Sequence, residues 1–533
     1  VSREGFDPLD MKNYRIDRLP ERHRSGFERW MAISGVPLAI ISFVLFGWVY
    51  TPGFIADFDS AVLTDRALAN LDSWGTEGFI RNNIWMLAVF LVSIILWTSG
   101  ALPNYLTSLL VIISLILTGV LSEERAYAQL GHPIMWLNIM SFILASTLVA
   151  TGLAKRYTLW LILRFGRKAS SVFWTFIVIN ITLSAFISAT TAKAALLLPI
   201  FMVIAAIYGA HGGKDGQTNM GRNLVLQNLL NINLGAGAFM TGSGANLLAV
   251  ALISGAMAGE IFYSDWLFAM FPTMLGLMFV GTLLGMRFFF PLEEKERLPQ
   301  VEGGMERLKE EYDALGPMQG REIWAAVLFL CILGFWATDR LHGISPTAVA
   351  FVGGTLALMP RVGIVDWNQV DIPWHLMLFS AGAYVLGAGL GDTGLPDLAV
   401  AALFGRIGID EQTPFWVLYV LLTGVMVYSA LLSQSKTMRT MIFIPIAIGT
   451  AQQLDFNILS LALPVAFMIE HVYTLPFNSK PAALLYETGH YRLTDATRYG
   501  LVMMTIAWLL IIVLGETWFR FLGITPDGVF GIF

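Results

Sequence analysis

Charge is scarce in this 533-residue chain: Asp, Glu, Lys and Arg together make up 13%, where a soluble domain carries about a quarter. Cysteine is scarcer still. The single Cys331 lies in an apolar run, which excludes disulfides and cysteine-based metal sites. Seven scattered histidines show no ligand spacing, so no resident metal or cofactor is expected. No basic cluster is interleaved with aromatics, and a net charge of −5 gives no footing for nucleic acid. The polar first 30 residues lack an early apolar region and do not resemble a cleavable signal peptide. Within the apolar runs there are no paired acids, no histidine cluster and no nucleophile with its base. Glu470-His471 is the one acid–histidine neighbour there, read as structural or gating, so an enzyme is not expected.

What is abundant is apolar sequence, 56% of the chain. Runs at 31–50, 84–101, 104–121, 133–153, 266–290, 322–338, 414–432 and 500–518 approach the roughly 20 residues that cross a hydrocarbon core. The expected fold is an all-α integral membrane protein of about 11 transmembrane helices plus two interrupted apolar segments. Sixteen tryptophans suit interfacial anchoring. Arg3, Lys12, Arg15, Arg18, Arg22, Arg24 and Arg29 favour a cytoplasmic N-terminal segment, 1–30, in an inner (cytoplasmic) membrane. The acidic-leaning loop 51–82 reads as external, and the cluster Lys155, Arg156, Arg164, Arg167 and Lys168 as internal. A polar, cytoplasmic linker at 291–321 separates a first membrane repeat, 31–290, from a second, 322–533.

Internal repetition is the most informative feature. Thr151-Gly152-Leu153 returns as Thr393-Gly394-Leu395, 242 positions later. SATTAKAALLLPI (188–200) is matched by SKTMRTMIFIPI (435–446), with Pro199 and Pro445 246 apart. TGSGANLLAV (241–250) is matched by LPFNSKPAALLYETG (475–489), with Ser243 and Ser479 236 apart. Such symmetry marks secondary transporters, whose repeats are often inverted.

The interrupted segments near 180–200 and 425–446 read as re-entrant helical hairpins. Hydroxyl-rich backbone at membrane depth is tolerated only where it faces protein or water. At each tip, hydroxyls and free amides at a half-helix N-terminus can receive a carboxylate, and unwound carbonyls can hold a cation. Aligned on the two prolines, Lys193 matches Arg439 and Thr190 matches Lys436. A cation within a span costs roughly 2.5–3.5 kcal/mol or more unless paired or hydrated. Placed twice, it is expected either to bind an anion or to replace a metal cation. Gly242, Ser243 and Asn246 in the first half, and Ser479 with Lys480 in the second, complete each candidate site.

These residues resemble the divalent anion:sodium symporter family, the dicarboxylate and citrate carriers. That family carries an SNTATA-like tip followed by MLLPI once in each half. Ala189 to Pro199 and Ser435 to Pro445 resemble the two copies, Gly242 to Asn246 the GTPPN element, and Ser479 to Ala482 the TPPN element. The stretches 151–156, 374–395 and 475–495 fit as well, and the likeness runs from about residue 84 to 522. The resemblance implies a homodimer in which a fixed scaffold part holds a transport part that moves as an elevator. It places Thr191 and Thr437 against substrate carboxylates; Ser188, Thr190, Lys193, Asn246, Ser435, Lys436, Arg439, Ser479 and Lys480 are the other substrate-binding candidates. Gly242, Ser243 and Asn246 fall near a first sodium site, and Ser435 and Ser479 near a second.

The tip asparagine of the family is absent from both copies. Lys193 and Arg439 stand where sodium-coupled members tend to have Thr and related plastid exchangers tend to have Arg. Close to a sodium site, such a cation repels the ion and can do its electrostatic work. The expectation is a secondary carrier of small divalent, C4-dicarboxylate-like anions, working by exchange or non-sodium coupling. The alternatives are a sodium-coupled dicarboxylate or citrate symporter, a sulfate or sulfonate carrier, and a substrate sensor without flux.

Overall fold

The computed structural model describes residues 9–11, 26–213, 217–257, 259–410, 412–433 and 435–531. Of the basic N-terminal residues only Arg29 falls within that range; the others lie outside the described residues. Among the described residues all regular structure is helical. Eight helices are long and apolar enough to cross a membrane, and six more apolar helices are shorter, at 10–17 residues. The chain is therefore an all-helical, multi-span membrane protein.

A first helix, α1 (Gly26–Val44), packs along α2 (Asp65–Ser99). The first half continues as α3 (Asn104–Leu117), α4 (Pro133–Thr151), α5 (Leu153–Phe165), α6 (Ala169–Ser184), α7 (Thr190–Ile207), α8 (Asn219–Ala238), α9 (Gly244–Ala256) and α10 (Tyr263–Leu284). A linker helix α11 (Gly304–Asp313) follows. The second half runs α12 (Gly320–Ala337), α13 (Pro346–Leu358), α14 (Trp374–Thr393), α15 (Leu395–Ile407), α16 (Phe415–Tyr428), α17 (Lys436–Gln453), α18 (Ile458–Phe467), α19 (Lys480–Tyr486) and α20 (Leu493–Glu516). Each element from α2 to α10 has its counterpart ten labels later. The repeated Thr-Gly-Leu has a mechanical meaning: Gly152 (φ 71°) and Gly394 (φ 65°) each end one helix in the left-handed conformation, and the next helix starts at once.

The halves interlock rather than sit side by side. Helix α3 packs on α14, and their counterparts α13 and α4 pack on each other in the same way. Small residues make both crossings close: a Cβ on Gly382 would lie 2.3 Å from that of Ser108, and one on Gly354 would lie 2.8 Å from the Met140 sulfur. The segments after the hairpins cross over too, α7 against α19 and α9 against α17. That exchange brings chemistry from both halves to one place.

The linker is not a loose connector. Arg156 on α5 pairs with Glu322 through two contacts, at 2.7 and 3.1 Å, and donates to the carbonyls of Gly316 (2.8 Å) and Leu315 (3.0 Å). The amides of Gln300 and Val301 bond the Ile207 carbonyl at the end of α7.

Candidate functional site

Residues 185–189, and 429–433 with Ser435, lie between the arms of the two hairpins, α6 with α7 and α16 with α17. Ala189 caps α7 in an extended conformation and offers no side-chain oxygen, so the first-turn amides of α7 lack an internal partner. Thr190 is buried and Thr191 half-buried beside them. In the second hairpin Ser435 caps α17, its Oγ accepting from the Met438 amide at 3.2 Å, and Thr437 is half-buried. Both tips thus present the positive end of a broken helix together with a threonine.

The segments after the hairpins are built alike. Ser243 and Ser479 are the extended caps of α9 and α19, accepting from Ala245 (3.1 Å) and Ala482 (3.3 Å). Only glycine fits at 242, because a Cβ there would lie 2.2 Å from the Ala236 carbonyl oxygen, which is backbone and cannot swing aside. Asn246 donates to the carbonyls of Ala236 (3.0 Å) and Phe239 (3.1 Å), leaving its Oδ1 buried and unpartnered; the Ser188 Oγ is in the same state. Two orphan oxygens of this kind suit a hard cation. By the 236-residue offset, the second-half equivalent of Asn246 is Ala482, which has no such oxygen.

The basic residues show the symmetry most sharply. Lys193 is fully buried and donates to the Ser184 Oγ (2.7 Å), at the end of α6, and to the Ile232 carbonyl (3.3 Å). Arg439, 1% exposed, donates to the Ser429 Oγ (2.9 Å), at the end of α16, and to the carbonyls of Met468 and Ile469 (3.3 Å each) and of Met426. Ile232 and Met468 are 236 positions apart, the offset that also separates Ser243 from Ser479. Two cations, one per half, therefore hold the same hydroxyl-and-carbonyl arrangement. Both side chains are buried among these protein groups.

Lys436 behaves differently. From the second tip its Nζ reaches the Glu470 Oε2 at 2.6 Å, and Glu470 is 1% exposed with Oε1 unpartnered. Glu470 directly follows Met468 and Ile469, whose carbonyls Arg439 holds. A Cβ on Gly237 of α8 would lie 2.7 Å from the Met274 methyl, so the glycine makes room for Met274, with the Glu470 Cβ at ordinary contact distance behind it. Beside it His471 is buried, its Nδ1 2.8 Å from the Tyr473 hydroxyl. Lys480 is exposed at the start of α19. Sequence reasoning left Glu470 out of the site, although an acid within an apolar run was itself the signal. Ser184 and Ser429, partners of the buried cations, were also missed, since nothing distinguishes them from other serines near helix ends.

A separate cavity of about 390 Å³ lies beyond the tips. Arg66, Arg125, His132 and Tyr384 line one wall, and Pro445 and Ile448 of α17 the other. Asp392 pairs with both arginines, at 2.5 and 3.4 Å. Among the described residues no group of three or more His, Cys, Asp or Glu side chains is placed to hold a metal ion.

Known proteins resemble the chain along most of its length. A membrane protein of Cupriavidus necator is 25% identical over 84% of this chain and 89% of its own. The chloroplastic dicarboxylate transporter 1 of Arabidopsis thaliana is 24% identical over 84% of this chain and 80% of its own. The sodium-dependent dicarboxylate transporter SdcS of Staphylococcus saprophyticus is 25% identical over 81% and 85% respectively. The family model for the sodium:sulfate symporter transmembrane region matches residues 76–525, which bears out the resemblance seen in the hairpins. The chain belongs to the sodium:sulfate symporter family, a family of membrane transporters and not of enzymes.

Proposed function

We propose that this protein is an elevator-type carrier of small divalent organic anions, C4-dicarboxylate-like, that works by exchange without sodium. The observation that carries the reading is the pair Lys193 and Arg439, which donate to matching hydroxyls and carbonyls in the two halves. Carbonyls freed at broken helix ends are where a coupling cation would sit. Beyond the end of α18 the Met468 and Ile469 carbonyls already have one, Arg439, while Lys193 takes the Ser184 hydroxyl and a carbonyl inside α8. The relatives' names support the substrate class, and they include a chloroplastic transporter as well as a sodium-dependent one.

Built-in cations change the energetics of the return stroke. Sodium leaves with its cargo, so an emptied symporter site is not left with that charge. Lys193 and Arg439 cannot leave, and charge at membrane depth is costly unless compensated. The emptied transport part stays on its side until another dianion binds, which makes the carrier an exchanger. In this reading the two repeats are inverted about the membrane plane. The Ile207 end of the first hairpin meets the linker, whereas Gln453 at the end of the second meets Asp397, on the face of Thr64 and the loop 51–82. The linker face is cytoplasmic, the membrane is the inner (cytoplasmic) one, and the protein is a homodimer. The arm and post-hairpin helices move, while α14 and its neighbours stay fixed across the 390 Å³ cavity.

Uptake of labelled succinate into proteoliposomes tests the exchange. Preloading with unlabelled succinate or malate is expected to raise the initial rate at least tenfold over empty vesicles. Equal uptake into empty vesicles would overturn it. A second reading, a symporter retaining one sodium, draws on the unpartnered Ser188 Oγ and Asn246 Oδ1. Competition by citrate and sulfate in the same assay separates the dicarboxylate carrier from a citrate, sulfate or sulfonate carrier.

A further inference from the structure

The charge carried within the site is unequal. Leaving aside the exposed Lys480, the cations at the two hairpins are Lys193, Lys436 and Arg439 against one buried carboxylate, Glu470, which leaves a surplus of two positive charges when all four are ionised. We infer that Glu470 sets the valence of the transported anion: by cancelling one of three cations it tunes the site to neutrality with a dianion. This rests on the proposed function, since it refines which anions that same site carries.

The geometry fits an internal counter-ion better than a structural ion pair. Glu470 is 1% exposed, yet only one of its oxygens is partnered, by the one cation of the three that sits on a tip and is half-buried. Lys193 and Arg439 spend their donors on carbonyls and serine hydroxyls, not on the carboxylate. Glu470 therefore acts on them only through space, as one charge of a shared buried site. His471, the adjacent titratable group, faces Tyr473 and Phe467 and contributes no hydrogen bond to the carboxylate.

The sign of the effect is fixed by the count. Removing the negative charge raises the surplus to three and favours a trianion. Removing the tip cation lowers it to one and favours a monoanion. The experiment is counterflow in proteoliposomes at neutral pH with succinate, tricarballylate (three carboxylates) and succinamate, which keeps the length of succinate with one carboxylate. Wild type is expected to prefer succinate. Glu470→Gln is expected to raise the tricarballylate-to-succinate rate ratio at least tenfold, and Glu470→Asp to leave it within about threefold of wild type, both on the scale of 1.4 kcal/mol per decade. Lys436→Gln is expected to move the succinamate-to-succinate ratio upward, the opposite direction in valence, and carries the test if Glu470→Gln does not fold. Unchanged ratios in whichever of these variants fold would overturn the inference while leaving the carrier assignment intact. A wild type that exchanges neither succinate nor tricarballylate would instead overturn the proposed function.

Discussion

Replacing Arg439 by Gln is expected to lower succinate exchange at least ~100-fold, with Arg439→Lys recovering only part of it. The guanidinium supplies a fixed fork of donors that a lysine cannot reproduce. Its Nε holds the Ser429 Oγ at 2.9 Å, and its Nη atoms reach the carbonyls of Met426, Met468 and Ile469. The Met468 and Ile469 carbonyls lie beyond the end of α18, so no helical amide takes the guanidinium's place there. Each buried carbonyl left bare costs about 1–3 kcal/mol, and about 2.7 kcal/mol already corresponds to 100-fold. Lysine keeps the charge but has one nitrogen to spread over partners on two helix ends. Exchange rate per monodisperse protein, compared across the three side chains, separates geometry from charge. Equal loss in Lys and Gln would assign the effect to the fork alone; full activity in Gln would refute it.

The largest expected loss of stability comes from Arg156→Met, at about 3–5 kcal/mol, because it strands a buried carboxylate. The Arg156 and Glu322 side chains are each 10% exposed, and the guanidinium also binds two linker carbonyls. The neighbouring pair Lys155–Glu311 has the same sign and a similar distance, 2.8 Å, but its side chains are 38% and 33% exposed. Such a pair is worth about 0–1 kcal/mol, so Lys155→Met is expected to be nearly silent. Burial decides between them. Thermal unfolding in detergent checks the contrast, and adding Glu322→Gln to Arg156→Met should restore part of the lost Tm. A silent Arg156→Met would mean the linker is not held where these contacts put it.

Much of the fold was legible because the repeat repeats its mechanics. The two Thr-Gly-Leu elements advertise helix ends that require a left-handed residue, and glycine alone adopts it freely. The interruptions at 185–189 and 429–435 were visible as hydroxyls within apolar sequence. Helix α8 was not visible as an apolar run, because it carries Asn219, Asn223, Gln227, Asn228, Asn231 and Asn233. Several of these amides donate to carbonyls four residues back, and Asn180 donates to Asn228 at 2.9 Å, so the helix is wrapped in protein rather than lipid. Hydropathy has no signal for that. In the site, the position of each cation was legible from the proline alignment, but its direction was not. Whether Lys193 and Arg439 turn toward the threonines or into carbonyls depends on where α8 and α18 pass, which is long-range packing. Glu470 was visible as an acid in an apolar run, but its partner was not, since Lys436 is 34 residues away.

The central claim is that Lys193 and Arg439 stand in for sodium. Its most direct test is the initial rate of succinate exchange in preloaded proteoliposomes, with external and internal sodium replaced stepwise by choline. The account predicts a rate that stays constant down to nominally sodium-free buffer in wild type. A rate that falls toward zero as sodium is withdrawn, with a saturable dependence on its concentration, would contradict it.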